Sequence, residues 1–439
     1  MNNKIVNVIG AGLAGSEASY QLAKRGIKVN LYEMKPTNFT PAHKNQNFAE
    51  LVCSNSLRSN DPLNAAGLLK EELRLLDSLV IRVADKVSVP AGSSLAVDRG
   101  AFSKAITDEL KSNKNITIIN EKVNKIDVSV PTIIATGPLT TDELSQNLKE
   151  LFGQDYLYFF DAIAPIVSDE SIDKTKSFFK DRYDKGKNGG DYLNCPMNKA
   201  EYDLFYKELI SAKTIELKDF ENDKVFEGCM PVEVMAKRGE KALLFGPLKP
   251  VGLSHPETGE KYYAIVQLRK ENTLNELYNL VGFQTNLNFA EQKRVFSLIP
   301  ALKNAEFVRY GIMHRNTFVN APAVLNKFYQ VKKYSNLFLA GQLSGVEGYI
   351  ESISSGLYCA INMANHIKNK PFVEFSAKTC MGAMPNYMVN ASPTNFQPMN
   401  INFGIVEDMG QNIKDKNTRR KLIYERSIAE IKEKIKEGE

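Results

Sequence analysis

Two groups of residues in this chain have the types and spacing for chemistry. The first is Gly10-Ala11-Gly12-Leu13-Ala14-Gly15, followed roughly 20 residues on by Glu33. In such a loop the first glycine permits a tight turn and the second lets backbone approach a pyrophosphate. The third lets the following helix pack closely on the strand. A helix opening at that point offers free N–H groups and partial positive charge to phosphates, and the acid can accept ribose hydroxyls. The second group is sulfur. There are five cysteines, Cys53, Cys195, Cys229, Cys359 and Cys380, odd in number, widely spaced and without a CxxC pair. Neither a disulfide framework nor a metal site is expected, and reduced thiols are the default. A thiol of ordinary pKa, about 8.5, is only a few per cent ionised at neutral pH, so a reactive one needs a cationic neighbour. Cys195, Cys359 and Cys380 lie among apolar or small residues and read as small buried hydrophobes.

The elements that must position these groups can be read from the residue pattern. Ile5 to Ile9 is a β-branched run, Glu17 to Lys24 has helical composition ending at Gly26, and Val29 to Tyr32 is a second strand finishing at Glu33. This is a βαβ unit opening a doubly wound parallel sheet. A loop from Lys35 to about Asn60 carries Cys53. Asp61-Pro62 is the expected start of a helix running to about Leu76. Thr117 to Val123 and Thr132 to Ala135 read as further strands. From about Ile166 to Phe307 the texture changes. Strand-like runs at Leu243 to Phe245, Tyr262 to Leu268 and Leu280 to Phe283 alternate with helical runs such as Glu201 to Ser211. Leu337 to Ala340 is again a buried-strand run, followed by a small-residue helix through Ile353 to Ala364. The expected fold class is therefore α/β: a Rossmann-like domain in two parts, 1–165 and 308–439, interrupted by an α+β insertion at 166–307. At the C-terminus Arg419, Arg420 and Lys421 precede Tyr424, Ile428, Ile431 and Ile435 at helical spacing. Two readings stay open there: an amphipathic helix docked on the body with a solvated basic face, which we prefer, and a basic strip for RNA phosphate.

Two distal segments bear on the choice of dinucleotide. Ile133 to Gly137 is a strand ending in Ala135-Thr136-Gly137. Leu337 to Gln342 is a strand ending in Ala340-Gly341-Gln342, and Gly345-Val346-Glu347-Gly348 follow. Both resemble the distal motifs of flavoproteins in the glutathione-reductase-like superfamily, which implies FAD. No second GxGxxG appears, so a nicotinamide donor is expected to dock transiently rather than occupy a domain of its own. At 439 residues, 43% hydrophobic and 24% charged, the chain has the profile of a globular protein. No apolar run reaches the ~18 residues that span a bilayer, and the short polar N-terminus argues against a secretory signal. No membrane partner and a cytoplasmic location are expected. The net charge of +5 permits a polyanionic partner without requiring one.

Longer motifs carry a more specific resemblance. They are A-E-L-V-C-S-N-S-L-R-S-N around Cys53, F-E-G-C-M-P-V-E-V-M-A-K-R-G around Cys229 and G-P-L-K-P-V-G-L at Gly246 to Leu253. R-Y-G-I-M-H-R-N-T-F at Arg309 to Phe318 and N-F-Q-P-M-N-I-N-F-G at Asn395 to Gly404 complete the set. Together they resemble the folate- and FAD-dependent tRNA (uracil-5-)-methyltransferases over essentially the whole chain. The resemblance implies an enzyme in which methylenetetrahydrofolate gives a one-carbon unit to reduced FAD. The flavin passes it to C5 of a uridine in structured RNA and reduces it to methyl, with NADPH or NADH as reductant. It assigns Cys229 as the nucleophile that adds to uracil C6. Cys53 would be the base at C5 or a resting partner for the activated carbon. Arg58, Lys237, Arg238 and Arg315 are candidate cations beside these thiols. His314 reads equally as a ligand contact or a core histidine, and Tyr349 as a flavin neighbour or a packing residue. The cofactor residues implied are Gly10 to Gly15, Glu33, Thr136, Gly137, Gly341, Gln342, Gly345, Val346 and Glu347. The RNA is a tRNA T-loop or, in the alternative, large-subunit ribosomal RNA. An alternative of another class is a flavin-dependent small-molecule oxidoreductase, which would have no use for the Cys229 segment.

Overall fold

The computed structural model describes residues 5–153, 157–162, 164–184, 190–215, 230–271, 276–311, 313–394, 396–410 and 413–438. Five parallel strands form its central sheet, in the order Leu337–Leu339, Thr132–Ile134, Ile5–Ile9, Lys28–Tyr32, Ile116–Ile119. Val6, Val8, Ile133, Ile134 and Leu337 to Leu339 are fully buried, as strands covered on both faces must be. The helices Leu13–Lys24 and Tyr349–Ile367 pack against each other beside this sheet. Trimming one of these buried leucines to alanine is expected to cost about 2–5 kcal/mol through lost transfer energy and cavity formation.

A second sheet is antiparallel, with six strands in the order Phe178–Phe179, Tyr192–Met197, Ala264–Lys270, Leu277–Leu280, Ile166–Ser168, Phe307–Arg309. Helix Lys199–Ser211 starts on a capping box, Asn198 with Glu201. Its buried residues Tyr202, Phe205 and Leu209 join a core of their own with Cys195, Val266, Leu268, Phe283 and Phe296. The strand pair Leu157–Ala162 and Met313–Phe318 lies where the chain passes between the two sheets. A small three-stranded sheet, Ser56–Ser59, Ser94–Val97 and Ser88–Val89, flanks the Cys53 loop.

Several expectations need correction. The loop after Glu33 ends at strand Ser56–Ser59, not at Asn60. The next helix begins at Ala65, with Asn64 at its N-cap, and not at Asp61-Pro62. The Asp61 carboxylate instead accepts from the backbone N–H of Leu63 and the side chain of Asn64, closing a local turn that delays the helix. Leu243 to Phe245 belongs to a one-turn helix, Ala242–Phe245. Only Leu243 is buried there and Phe245 is 82% exposed, so a run of apolar residues did not mean a strand. Strand Leu277–Leu280 ends where the Leu280 to Phe283 run was expected to begin. The C-terminal helix Lys416–Gly438 buries Ile423 and Ile431. Its Ser427 reaches the carboxylate of Glu72 at 2.5 Å. It is docked on the body by that face, while Arg419 pairs with Asp408 and Lys421 with Glu425 at the surface. Among the described residues no helix is long and apolar enough to cross a membrane.

Candidate functional site

At the C-terminal ends of the parallel strands lies a cavity lined by Gly10, Ala11, Gly12, Leu13 and Ala14. Gly10 has φ +95°, and a Cβ there would stand 2.7 Å from the Ala135 carbonyl oxygen. Gly15 does not line the cavity. A Cβ there would come within 1.8 Å of the Gly10 carbonyl oxygen, so its part is to let the helix close on the turn. Gly12 caps the helix with no side-chain hydrogen bond and has open space beside it. The N-terminus of helix Leu13–Lys24 is therefore bare toward the cavity, as an anion site requires. Glu33 is buried on the cavity wall. Its carboxylate accepts from Ala11 N (2.9 Å) and Lys35 N (3.0 Å), tying the loop to the second strand. Thr136, Gly137, Gly341 and Gln342 also line the cavity. Gly345, Val346 and Glu347 do not. Gly345 lies against the ring of Phe396, Val346 is fully buried in a bridge with Met399, and Glu347 accepts from Gln342 Nε2 at 2.8 Å. A glycine cradle, an exposed helix terminus and a carboxylate at the ribose position fit a dinucleotide.

Tyr349, the first residue of helix Tyr349–Ile367, joins this cavity to the thiol loop. Its hydroxyl accepts from Cys53 N (2.8 Å) and Ser54 N (3.1 Å). Burial, with the charge of Cys53 next in weight, pushes its phenol well above the usual range, so it is a neutral acceptor. Cys53 is partly exposed, whereas Cys195, Cys359 and Cys380 are buried. Burial pushes the Cys195 thiol up to about 12 and those of Cys359 and Cys380 well above their ordinary value. Cys229 lies outside the described residues, as do the side chains of His314 and Arg315.

Of the expected cations, Arg58, Lys237 and Arg238 lie among the described residues, whereas the Arg315 side chain does not. Arg58 is paired with buried Glu351 at 2.7 Å. Lys237 ends helix Val232–Lys237, and Arg238 is its C-cap. Arg99 is electrostatically coupled to Cys53. Burial works against its charge, but Glu271 first, then Tyr349 and Cys53, more than offset that, and the guanidinium is held above its ordinary value. Arg309 lies in the same field. Burial first and Arg99 second pull it below its ordinary value, and its Nε is buried with no hydrogen-bond partner among the described residues. Arg99 and Glu271 are far apart in sequence, and nothing in their local pattern marks them.

Parallel strand order, glycine turn and terminal acid together define a Rossmann-like dinucleotide-binding protein of the glutathione-reductase type. The comparisons with known proteins narrow this. The family described as GIDA, Glucose inhibited division protein A, matches residues 5–371. The chain is 56% identical over 431 residues to the methylenetetrahydrofolate–tRNA-(uracil-5-)-methyltransferase TrmFO of Bacillus subtilis (strain 168), with 98% of each chain covered. To the TrmFO of Halalkalibacterium halodurans it is 55% identical over 436 residues, covering 99% of this chain and 100% of that one. Among solved structures, Aquifex aeolicus GidA superposes with a TM-score of 0.69 at 16% identity, covering 98% of this chain and 73% of that one, a likeness of fold. The chain belongs to the GidA family and, within it, to the methylenetetrahydrofolate–tRNA-(uracil-5-)-methyltransferase enzymes.

Proposed function

We propose that the protein methylates C5 of a uridine in the T-loop of tRNA, in the cytoplasm. Methylenetetrahydrofolate is the carbon donor, FAD the bound carrier, and NADPH or NADH the reductant. The observation that carries this reading is full-length identity of 55–56% to enzymes bearing that name. The reading takes residues 166–307 as an insertion between the two parts, 1–165 and 308–439, of the cofactor domain. The separate hydrophobic core of the antiparallel sheet supports that division.

Gly10 to Ala14 and the bare helix N-terminus would hold the FAD pyrophosphate, with Gly15 allowing the helix its approach. Glu33 would hold the ribose, and Thr136, Gly137, Gly341 and Gln342 the flavin side. Gly345, Val346 and Glu347 would support Gln342 from behind. A bound flavin supplies the carrier for the one-carbon unit and the hydride that completes the methyl group.

The remaining steps fall to the chain's own residues. Uracil C5 is a poor nucleophile. When the Cys229 thiolate bonds to C6, the displaced electron pair makes C5 an enolate carbon able to attack an electrophilic one-carbon unit. After transfer the C5 proton must leave so that the C6–S bond can break and the ring regain its double bond. Cys53, on the loop tied to the cavity by Tyr349, is the group assigned to take that proton. Its partial exposure and the nearby Arg99 charge support the assignment.

The test is formation of 5-methyluridine from labelled methylenetetrahydrofolate and NADPH in a tRNA transcript and, in parallel, a large-subunit ribosomal RNA transcript. We expect methylation of the tRNA and its loss in Cys53→Ala and Cys229→Ala. Methylation of the ribosomal RNA alone overturns the choice of target. Full activity without either thiol overturns the mechanism.

A further inference from the structure

The loop Leu51–Asn55 has no regular secondary structure, yet almost every residue in it is held by a side chain from elsewhere. Arg99, the first residue of helix Arg99–Ser112, donates from Nη1 to Leu51 O at 2.7 Å and more weakly to Val52 O at 3.5 Å. The same guanidinium meets Glu271, with Nε 2.6 Å from Oε2 and Nη2 3.3 Å from Oε1. Glu271 is the residue after strand Ala264–Lys270 of the antiparallel sheet, and its side chain is 3% exposed. Two residues earlier, buried Arg269 donates from Nη2 to Ser54 Oγ at 2.6 Å and from Nε to Asn55 Oδ1 at 2.9 Å. Asn55 Nδ2 in turn donates to Lys270 O at 2.8 Å and to Val97 O at 3.1 Å.

We propose that Arg99, Glu271 and Arg269 are positioning residues for Cys53. They form a clamp through which the end of the antiparallel sheet's central strand grips the thiol loop and fixes the charge the thiol meets. The proposal rests on Cys53 acting in the reaction, as proposed above. A buried ion pair is a poor way to gain stability, because desolvation consumes most of the Coulomb attraction and apolar packing holds a loop as well. What apolar packing cannot do is set a charge. Arg99 brings a positive charge to the loop, and Glu271 offsets part of that cation. Among the described residues, the charged and titratable groups around this loop include Arg99, Tyr349, Glu271, Arg269, Arg309 and Glu50. The clamp also makes the thiol's place depend on where the antiparallel sheet sits, so the loop and the sheet behave as one frame.

Opposite charge effects separate this role from plain support of the loop. In flavin-loaded full-length protein, the rate of Cys53 alkylation by iodoacetamide is followed against pH by peptide mass spectrometry. The kcat and KM for 5-methyluridine formation are measured beside it. Glu271→Gln leaves Arg99 less neutralised and is expected to move the alkylation midpoint down by about half a unit or more. Arg99→Gln is expected to move it up by a similar amount. Both should lower kcat about tenfold or more, with KM for RNA changed less than twofold. Arg99→Lys keeps the charge and loses the fork, so it should hold the midpoint while lowering kcat. Lys199→Ala, which breaks the exposed Lys199–Asp203 pair, should change neither. Midpoints of Glu271→Gln and Arg99→Gln that superimpose on the wild type, or that move the same way, overturn the proposal, as does a shifted midpoint in Arg99→Lys. If Arg99→Gln does not fold, Glu271→Gln and Arg99→Lys still decide it. Cys53→Ser is run alongside. If it is inactive and the midpoints do not move, the clamp alone fails. If it stays active, the functional reading fails and the clamp with it.

Discussion

Gly12 and Gly15 stand in one turn of the same loop, yet a methyl group added at each meets opposite surroundings. At Gly12 the backbone has φ −71° and ψ −167°, open to any residue, and a Cβ would find nothing within 4 Å. Gly12→Ala should therefore leave the flavin-free protein folded. The gain of about 0.4–1 kcal/mol from restricting the unfolded chain is offset by the poorer fit of Ala at an N-cap, so its melting temperature should stay close to the wild type. The new methyl, however, stands at the bare helix N-terminus where a phosphate would approach. Charge-assisted hydrogen bonds are worth about 1.5–3 kcal/mol. Forcing the phosphate away from one of them weakens FAD binding about 10- to 100-fold, at about 1.4 kcal/mol per tenfold. At Gly15 the Cβ would lie 1.8 Å from the Gly10 carbonyl oxygen, against an ordinary contact of 3.4 Å or more. Turn and helix must part by about 1.6 Å, and overpacking of that kind costs about 1–3 kcal/mol or more. Gly15→Ala should lower both the melting temperature of the flavin-free protein and its affinity for FAD. Thermal melts of flavin-free protein and FAD titrations followed by flavin fluorescence separate the two effects. If Gly12→Ala binds FAD as the wild type does, or destabilises the flavin-free protein as much as Gly15→Ala does, the assignment of this loop to the cofactor is wrong.

Other expectations follow from buried groups. Glu72 accepts from Cys380 N, Met381 N and Ser427 Oγ, and burial raises its carboxyl from 4.5 to about 7 against those hydrogen bonds. The folded protein then holds a proton that the unfolded chain has released. The group's contribution is fully present below pH 4.5 and is lost as pH rises through 7, about 3 kcal/mol in all. Melting temperatures from pH 5 to 8 should fall less steeply in Glu72→Gln than in the wild type, and parallel slopes would remove Glu72 as the cause. Tyr349→Phe deletes the acceptor of two backbone N–H groups. It should lower kcat for 5-methyluridine formation about tenfold with little change in melting temperature, because the Cys53 loop is partly exposed; an unchanged kcat counts against its role. Native-state iodoacetamide labelling read by mass spectrometry should modify Cys53 at least about a hundredfold faster than Cys195, Cys359 or Cys380, whose burial opposes both access and ionisation. Comparable rates would mean that the buried thiols open freely.

Much of the fold was legible because local rules govern it. The β-branched run, the glycine turn and the acid ending the next strand dictate a βαβ unit with little help from elsewhere. The same holds for the helical run from Glu201 to Ser211 and for the C-terminal helix with Ile431 on its buried side. Reading failed where a local signal had a competing local use. Asp61 closed a turn rather than capping a helix, and Leu243 to Phe245 was too short for its apolar content to choose between strand and helix. At the site, ten of the fourteen residues expected around the cofactor line the cavity, because phosphate recognition by backbone needs glycines at set spacing.

The surroundings of Cys53 were illegible for a different reason. Its partners come from position 99, from 269 and 271 in another sheet, and from 349. Charge acts through space and leaves no period in the sequence, so Arg58, Lys237, Arg238 and Arg315 stood as candidates with nothing to choose among them, and Arg99 was not one of them. The order of residues was enough to determine the nucleotide loop, the strands around it and which thiols stay buried. Only the tertiary structure brought Arg99 to the loop of the partly exposed thiol. That placement depends on where two sheets built from distant segments come to rest against each other, and no local preference encodes it.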